Sequence, residues 1–277
     1  MSFSVIMCVW KNDDPGLFQK AMSSCFQQSL PPQEFVLVID GEISDDLETV
    51  VCELKNSCLL AEIDFVLHRF GENMGHGMAR RAAMELANHR FIAICDADDI
   101  NEKHRFSEEY DFLQENPEIS VVGGFIKEVS ENQAEDFKIR RVPKDHNDIT
   151  SYLRFRCPMN QMTVMFRKDD VISVGGYMDF YHNEDYFLWC RLISAGKKFA
   201  NIQKVLVRAN VSANTYVRRS GFHYFISESK IQLLLLKLGL TNSFLVIFNV
   251  LGRFLVQLCC PNVLRQWLFD NVFRTNK

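Results

Sequence analysis

Residues 4–10 are an unbroken apolar run, the pattern of a strand buried on both faces. Residues 16–29 switch to helical spacing, with Leu17, Ala21 and Cys25 recurring on one side, and Pro31-Pro32 stops that helix. Residues 35–39 read as a second buried strand ending at Asp40-Gly41, and residues 62–67 as a third. A helix rich in Ala, Met and Leu covers 75–88 and leads into another apolar run at 91–95. Helix 102–114 and strand 119–125 continue the alternation. This spacing predicts an α/β fold, a mostly parallel sheet flanked by helices and joined by right-handed crossovers.

The run at 91–95 ends abruptly in Asp96-Ala97-Asp98-Asp99, three carboxylates in four positions. In an open α/β sheet, ligands bind beyond the carboxyl ends of the strands. Carboxylates this close repel one another. A hard divalent cation, Mg2+ or Mn2+, relieves that repulsion and keeps substrate phosphates as its other ligands. The pattern points to a metal–diphosphate site; a solvated loop capping the helix after Asn101 is the other reading. No G-x-G-x-x-G follows the first strand and no G-x-x-x-x-G-K-[ST] occurs, which removes the usual dinucleotide and P-loop sites. A second acidic pair, Glu184-Asp185, stands just before an aromatic-rich helix. Alone, it reads by default as two acids favoured by a helix dipole.

A chain of 277 residues can bury one large core with a small appendage. Its net charge of −4 hides a division. Residues 211–277 carry eight Lys/Arg against Glu228 and Asp270, so they are +6 and residues 1–210 are −10. An acidic body argues against nucleic-acid binding, whereas a basic, apolar tail suits an anionic membrane surface. The chain therefore divides at 210 into an α/β body (1–210) and a helical tail (211–277). The longest uncharged stretch of the tail, 238–252, is short for a bilayer span, so amphipathic helices lying in the interface fit it better. A buried hairpin or a dimer interface fits the same residues. Nine cysteines at irregular spacings, with no C-x-x-C pair, fit a reducing cytoplasm and give no zinc site. The first residues carry no basic n-region, so no signal peptide is expected.

The segments Ser4-Val-Ile-Met-Cys-Val-Trp-Lys-Asn, Asp40-Gly41, Asn73-Met-Gly-His-Gly-Met-Ala-Arg80, Asp96-Ala-Asp98-Asp99, Gly175-Gly-Tyr and Glu184-Asp185-Tyr-Phe-Leu-Trp189-Cys-Arg191-Leu follow one another in register. Together they resemble family 2 glycosyltransferases of the GT-A fold, over about residues 3–210. Residues 157–166 and 207–221 resemble a subset from bacterial exopolysaccharide and O-antigen clusters, the amylovoran-type enzymes. That subset often has His where Gln161 stands.

The resemblance implies a role for each motif. Trp10 and Asp40 would border the base and ribose, with Asp40 accepting from the uracil imide; taken alone, Asp40 reads as a turn-forming Asp before Gly, and where the family often has two acids this chain has Ile39 then Asp40. Asn73 would shape a close-approaching backbone, and Arg80 would reach a phosphate or pin the acidic loop. Asp98 would be the metal ligand and Asp96 would contact ribose or the metal's surroundings. Asp185 would take the proton of the acceptor hydroxyl, with Glu184 orienting the acceptor or the base. Trp189 would stack on a sugar or pack in the core. Arg218 and Arg219 would clamp a diphosphate, or form a solvated basic turn.

The expected function is an inverting, Mn2+- or Mg2+-dependent transfer of a hexose from a UDP-sugar, UDP-Glc or UDP-Gal. The acceptor would be a polyprenyl-pyrophosphate-linked saccharide of O-antigen or exopolysaccharide assembly, met at the cytoplasmic face of the inner membrane. A sugar-1-phosphate nucleotidyltransferase shares the sheet and metal demand, but Lys11-Asn-Asp-Asp-Pro replaces the Gly-rich basic loop it needs. A non-catalytic nucleotide-sugar-binding assembly protein would not need both acidic pairs.

Overall fold

In the computed structural model of the chain, the described residues are 2–130, 133–211 and 221–259. The first apolar run forms β1 (Phe3–Trp10), and its side chains split between two cores, as in a strand covered on both faces. Phe3, Val5, Met7 and Val9 enter one core and Ile6 the other. Helix α1 (Pro15–Phe26) opens on a proline, and its N-cap Asp14 accepts from the Leu17 N–H at 2.9 Å. Strand β2 (Glu34–Asp40), helix α2 (Asp45–Leu60) and strand β3 (Asp64–Arg69) follow. β3 begins two residues later than the apolar pattern suggests, because Glu62 takes a φ of +54° while the Ile63 N–H closes α2 on the Cys58 carbonyl.

Helix α3 (His76–Leu86), strands β4 (Phe91–Asp96) and β5 (Ile100–Asn101), and helix α4 (Arg105–Glu115) come next. Strands β6 (Ile119–Ser130) and β7 (Gln133–Arg140) precede α5 (His146–Leu153), β8 (Met165–Arg167) and α6 (Lys168–Ser173). Helix α7 (Glu184–Ser194) and strand β9 (Lys198–Asn210) complete the sheet region. The strands form one sheet in the order β3-β2-β1-β4-β8-β6-β9-β5, with β7 beside β6. β3, β2, β1 and β4 are parallel; β8 then runs antiparallel to β4 and β6, so the second half is mixed.

The chain steps outward from β1 to β2 to β3, then returns to the other side of β1 with β4. That reversal opens a crevice beyond the carboxyl ends of β1 and β4. Helix α3 lines it and lies so close to the backbone at 178–179 that a Cβ on Gly77 would meet the Met178 carbonyl oxygen at 2.5 Å. Gly77→Ala is therefore expected to push α3 off that segment and to destabilise the fold by roughly 1–3 kcal/mol. A thermal midpoint equal to the parent's would show that the segment yields freely.

Helix α8 (Phe222–Lys237) packs on the body, with Ile231 and Leu235 fully buried in the second core. Helix α9 (Ser243–Phe254), extended by a π turn at Leu255–Cys259, lies against α8. Asn249 Nδ2 donates to Gln232 Oε1 at 2.9 Å, and Arg253 pairs with Glu228. Among the described residues, no helix is long and apolar enough to cross a membrane.

Candidate active site

An open cavity of about 250 Å³ sits over the crevice. Trp10 and Asp13 line it from the end of β1, Asp96 and Asp98 from the end of β4. His76 and Arg80 line it from α3, and Glu184 from the start of α7. The two acidic segments, far apart in sequence, thus share one cavity.

Arg80 joins them. Its Nη2 donates to Asp96 Oδ1 at 2.9 Å and its Nη1 to Glu184 Oε1 at 2.5 Å. The residue is only 6% exposed. Burial disfavours its charge, but Asp96 and Glu184 outweigh that and raise its pKa, so the guanidinium stays protonated. A planar fork with two donor directions suits this double role, which a lysine could not reproduce.

The three carboxylates of the acidic turn divide. Asp99 is buried and structural: its Oδ1 accepts from the Asn210 N–H at 2.9 Å, tying the turn to the end of β9. Burial, then Asp98 and Asp96, push its carboxyl well above the usual range. Beneath the turn, the fully buried Arg105 donates to the Ile94 carbonyl at 2.7 Å and to Asn101 Oδ1, which fixes both ends of the loop. Asp96 and Asp98 face the cavity with Asp13. Burial, then the charges of Asp98 and Asp96, push Asp13 up to about 7, against a hydrogen bond from the Trp10 N–H at 2.9 Å.

Carboxylates in this conflict are a fitting donor set for a hard divalent cation. Among the described residues, no three His, Cys, Asp or Glu side chains are gathered tightly enough to hold one alone. A magnesium-type site takes one or two carboxylates and completes its shell from substrate phosphates, so these residues fit such an ion.

Glu184 lines the cavity; Asp185, the next residue, is half-buried and is not on that wall. Asp185 Oδ1 accepts from the Tyr186 N–H at 2.6 Å, and its Oδ2 from the Cys157 thiol at 3.6 Å. Burial, then the adjacent Glu184, push Asp185 up to about 6. Arg191 on the same helix donates to the carbonyls of Val174 and Gly176 at 2.6 and 2.7 Å, which locks the G-G-Y turn onto α7. Gln161 Nε2 donates to the buried Tyr177 hydroxyl of that turn at 2.7 Å, so position 161 braces it.

Asp40 and Asn73 stand off the cavity wall. Asp40 Oδ1 accepts from the Met74 N–H at 2.6 Å; its Oδ2 accepts from Asn73 Nδ2 and the Gly75 N–H, each at 3.0 Å. Asp40 thus holds the turn that starts α3, and Gly75 takes the φ of +87° that this turn requires. Trp189 is fully buried, edge-on to Phe199 at 5.6 Å, which resolves its two readings in favour of core packing. Arg218 and Arg219 lie outside the described residues.

Sequence spacing marks neither His76 nor His182 as a metal ligand and does not single out Asp13, yet all three line the cavity. Their signals were positional: Asp13 follows the end of β1 and His76 begins α3. Burial, then Arg80, push His76 down to about 4, leaving it neutral at pH 7.

Residues 4–187 match Glycosyl transferase family 2. The chain is 34% identical over 241 residues to the amylovoran biosynthesis glycosyltransferase AmsE of Erwinia amylovora, covering 87% of each. It is 31% identical over 272 residues to the UDP-Gal:alpha-D-GlcNAc-diphosphoundecaprenol beta-1,3-galactosyltransferase of Escherichia coli, covering 98% of this chain and 96% of that one. Its fold matches S. aureus TarS 1–349 in complex with UDP-GlcNAc at a TM-score of 0.64 and 17% identity, over 92% of this chain and 73% of the other. With the family's span running from β1 into α7 and the second relative matched almost end to end, the chain belongs to glycosyl transferase family 2 and is a glycosyltransferase of the GT-A fold.

Proposed function

We propose that the chain transfers a hexose, with inversion, from UDP-glucose or UDP-galactose to a saccharide carried on a polyprenyl pyrophosphate. The place of that reaction is O-antigen or exopolysaccharide assembly at the cytoplasmic face of the inner membrane. The observation that carries this reading is Arg80, which binds the acidic turn through Asp96 and the second acidic pair through Glu184 across one cavity. A donor diphosphate with its cation fits the first group, and an acceptor hydroxyl fits the second. The two relatives support the rest, since one is named for amylovoran biosynthesis and the other for a lipid-diphosphate-linked GlcNAc acceptor.

Asp98, with Asp96 or Asp13 beside it, would hold Mn2+ or Mg2+. The ion would supply positive charge to the departing diphosphate, as a Lewis acid does. Asp185, next to the cavity-lining Glu184, would turn its carboxyl from the Cys157 thiol toward the cavity and take the proton from the acceptor hydroxyl as that oxygen attacks the anomeric carbon. Glu184 gives one oxygen to Arg80, which fixes it against the acceptor. Asp185 receives its hydrogen bonds from an amide and a thiol instead, neither of them a cation, and its pKa of about 6 suits a base at neutral pH. Asp40 orders the nucleoside side through the turn at 73–75, beside Trp10.

The test is a screen of UDP-sugars with Mn2+ against a lipid-pyrophosphate-GlcNAc or -GalNAc acceptor, with product detected by mass. Asp98→Asn is expected to raise the Mn2+ needed for half-maximal rate by roughly a hundredfold. Transfer from no UDP-sugar, alongside tight binding of another nucleotide, would remove the donor assignment.

A further inference from the structure

We infer that the exposed apolar face of α9 docks this protein on an anionic lipid bilayer and that α8 ties the docked hairpin to the acceptor side of the cavity. The inference rests on the lipid-linked acceptor proposed above.

Helix α9 is turned inside out relative to an ordinary surface helix. Phe244, Ile247, Phe248, Leu251 and Leu255 are 76%, 60%, 63%, 58% and 60% exposed. They fall at i, i+3, i+4, i+7 and i+11, a single stripe along the helix. Two of its polar residues, Asn249 and Arg253, are turned to the body. Asn249 is buried and donates to Gln232 and to the Arg154 carbonyl, while Arg253 pairs with Glu228 and donates to the Phe155 carbonyl at 2.6 Å. A globular helix buries the stripe and exposes the amide and guanidinium. This one is anchored by its polar groups and presents the stripe outward.

Charge selects the occupant. The segment 211–277 is +6 in a chain of −4. On α8, Leu233 is 59% exposed between the exposed Lys230 and Lys237. Arg265, Arg274 and Lys277 follow α9 in the chain. A second copy would bring the same positive charge against itself, whereas an anionic bilayer complements it. With no described helix long enough to span, the geometry is that of a helix lying in the interface plane.

The connection to the site is direct. Ser227 of α8 accepts from Asn183 Nδ2 at 2.9 Å and donates to the Tyr181 carbonyl at 2.6 Å. Asn183 immediately precedes Glu184, and Tyr224 of the same helix lines the cavity. Docking through α9 would hold the acceptor side of the cavity beside the bilayer that carries the sugar.

The experiment sediments the full chain with vesicles of phosphatidylcholine, or of phosphatidylcholine mixed with phosphatidylglycerol. The parent is expected to bind the anionic vesicles. The Phe244→Asp/Phe248→Asp variant, and the milder Ile247→Ser/Leu251→Ser variant, should bind roughly tenfold less or weaker still. Both should keep parental transfer to a water-soluble, short-chain pyrophosphate acceptor. Anionic-vesicle binding equal to the parent's in both variants overturns the inference, as does a parent that binds neither vesicle. A parental dimer that the variants dissociate, read by light scattering, assigns the face to a second copy and overturns it too. Loss of transfer by the parent on the soluble acceptor strikes the proposed function instead, and vesicle binding is read without it.

Discussion

Asp185→Asn is expected to lower kcat by roughly a thousandfold while leaving UDP binding intact, the loss typical of removing a general base. The substitution keeps the shape of the side chain and its bond from the Tyr186 N–H, so the start of α7 should stay in place. Only the ability to accept a proton goes. The parent supplies an internal control through pH. Burial and Glu184 raise Asp185 to about 6, so the carboxylate fraction grows as pH rises through that value. In the parent, kcat/KM should climb about tenfold per pH unit below 6 and flatten above it. The Asn variant should lack that limb. Initial rates from about pH 5 to 8, with UDP titrated by calorimetry, measure both effects. Parental turnover in Asp185→Asn would sink the mechanism and move the base to Glu184, which lines the cavity itself.

The parallel half of the fold was legible because burial on both faces leaves a plain mark. Residues 4–10, 35–39 and 91–95 read as continuous apolar runs, and they became β1, β2 and β4 with ends within two residues. Short strands leave no such mark: β5 has two residues and β8 three, too few for any periodicity to register. Their pairings make the second half mixed, and that half joins the acidic turn to β9.

At the site, position was legible and partnership was not. Acids at a strand end mark a place where a ligand can bind, but the same letters hide three different jobs. Asp99 holds β9, Asp96 holds Arg80, and Asp98 lines the cavity. Asp40 at the end of β2 likewise spends its oxygens on the turn at 73–75. Such assignments depend on which loop lies opposite, and sequence spacing does not encode that distance. Arg80 is the sharpest case, since its second partner lies 104 positions away.

Arg80→Met should therefore have a large effect on stability and on activity together. It removes a buried cation from between Asp96 and Glu184, whose side chains are 24% and 12% exposed. Leaving charges of one sign facing each other with little solvent is expected to destabilise the fold by about 3 kcal/mol. The thermal midpoint should fall by roughly 5–10 °C. Arg80→Lys keeps the charge but reaches only one partner at a time, so it should recover part of the midpoint and little of the rate. A packing role alone would predict the reverse, with Met, the closer match to an apolar environment, tolerated better than Lys. The cycle with Glu184→Gln separates the two accounts. If Arg80 acts through its ion pairs, neutralising Glu184 should relieve part of the Arg80→Met defect. The double variant's midpoint should then sit well above the sum of the two single losses. Additive losses would mean that Arg80 and Glu184 contribute independently, and that the donor and acceptor sides of the cavity are not joined through this residue.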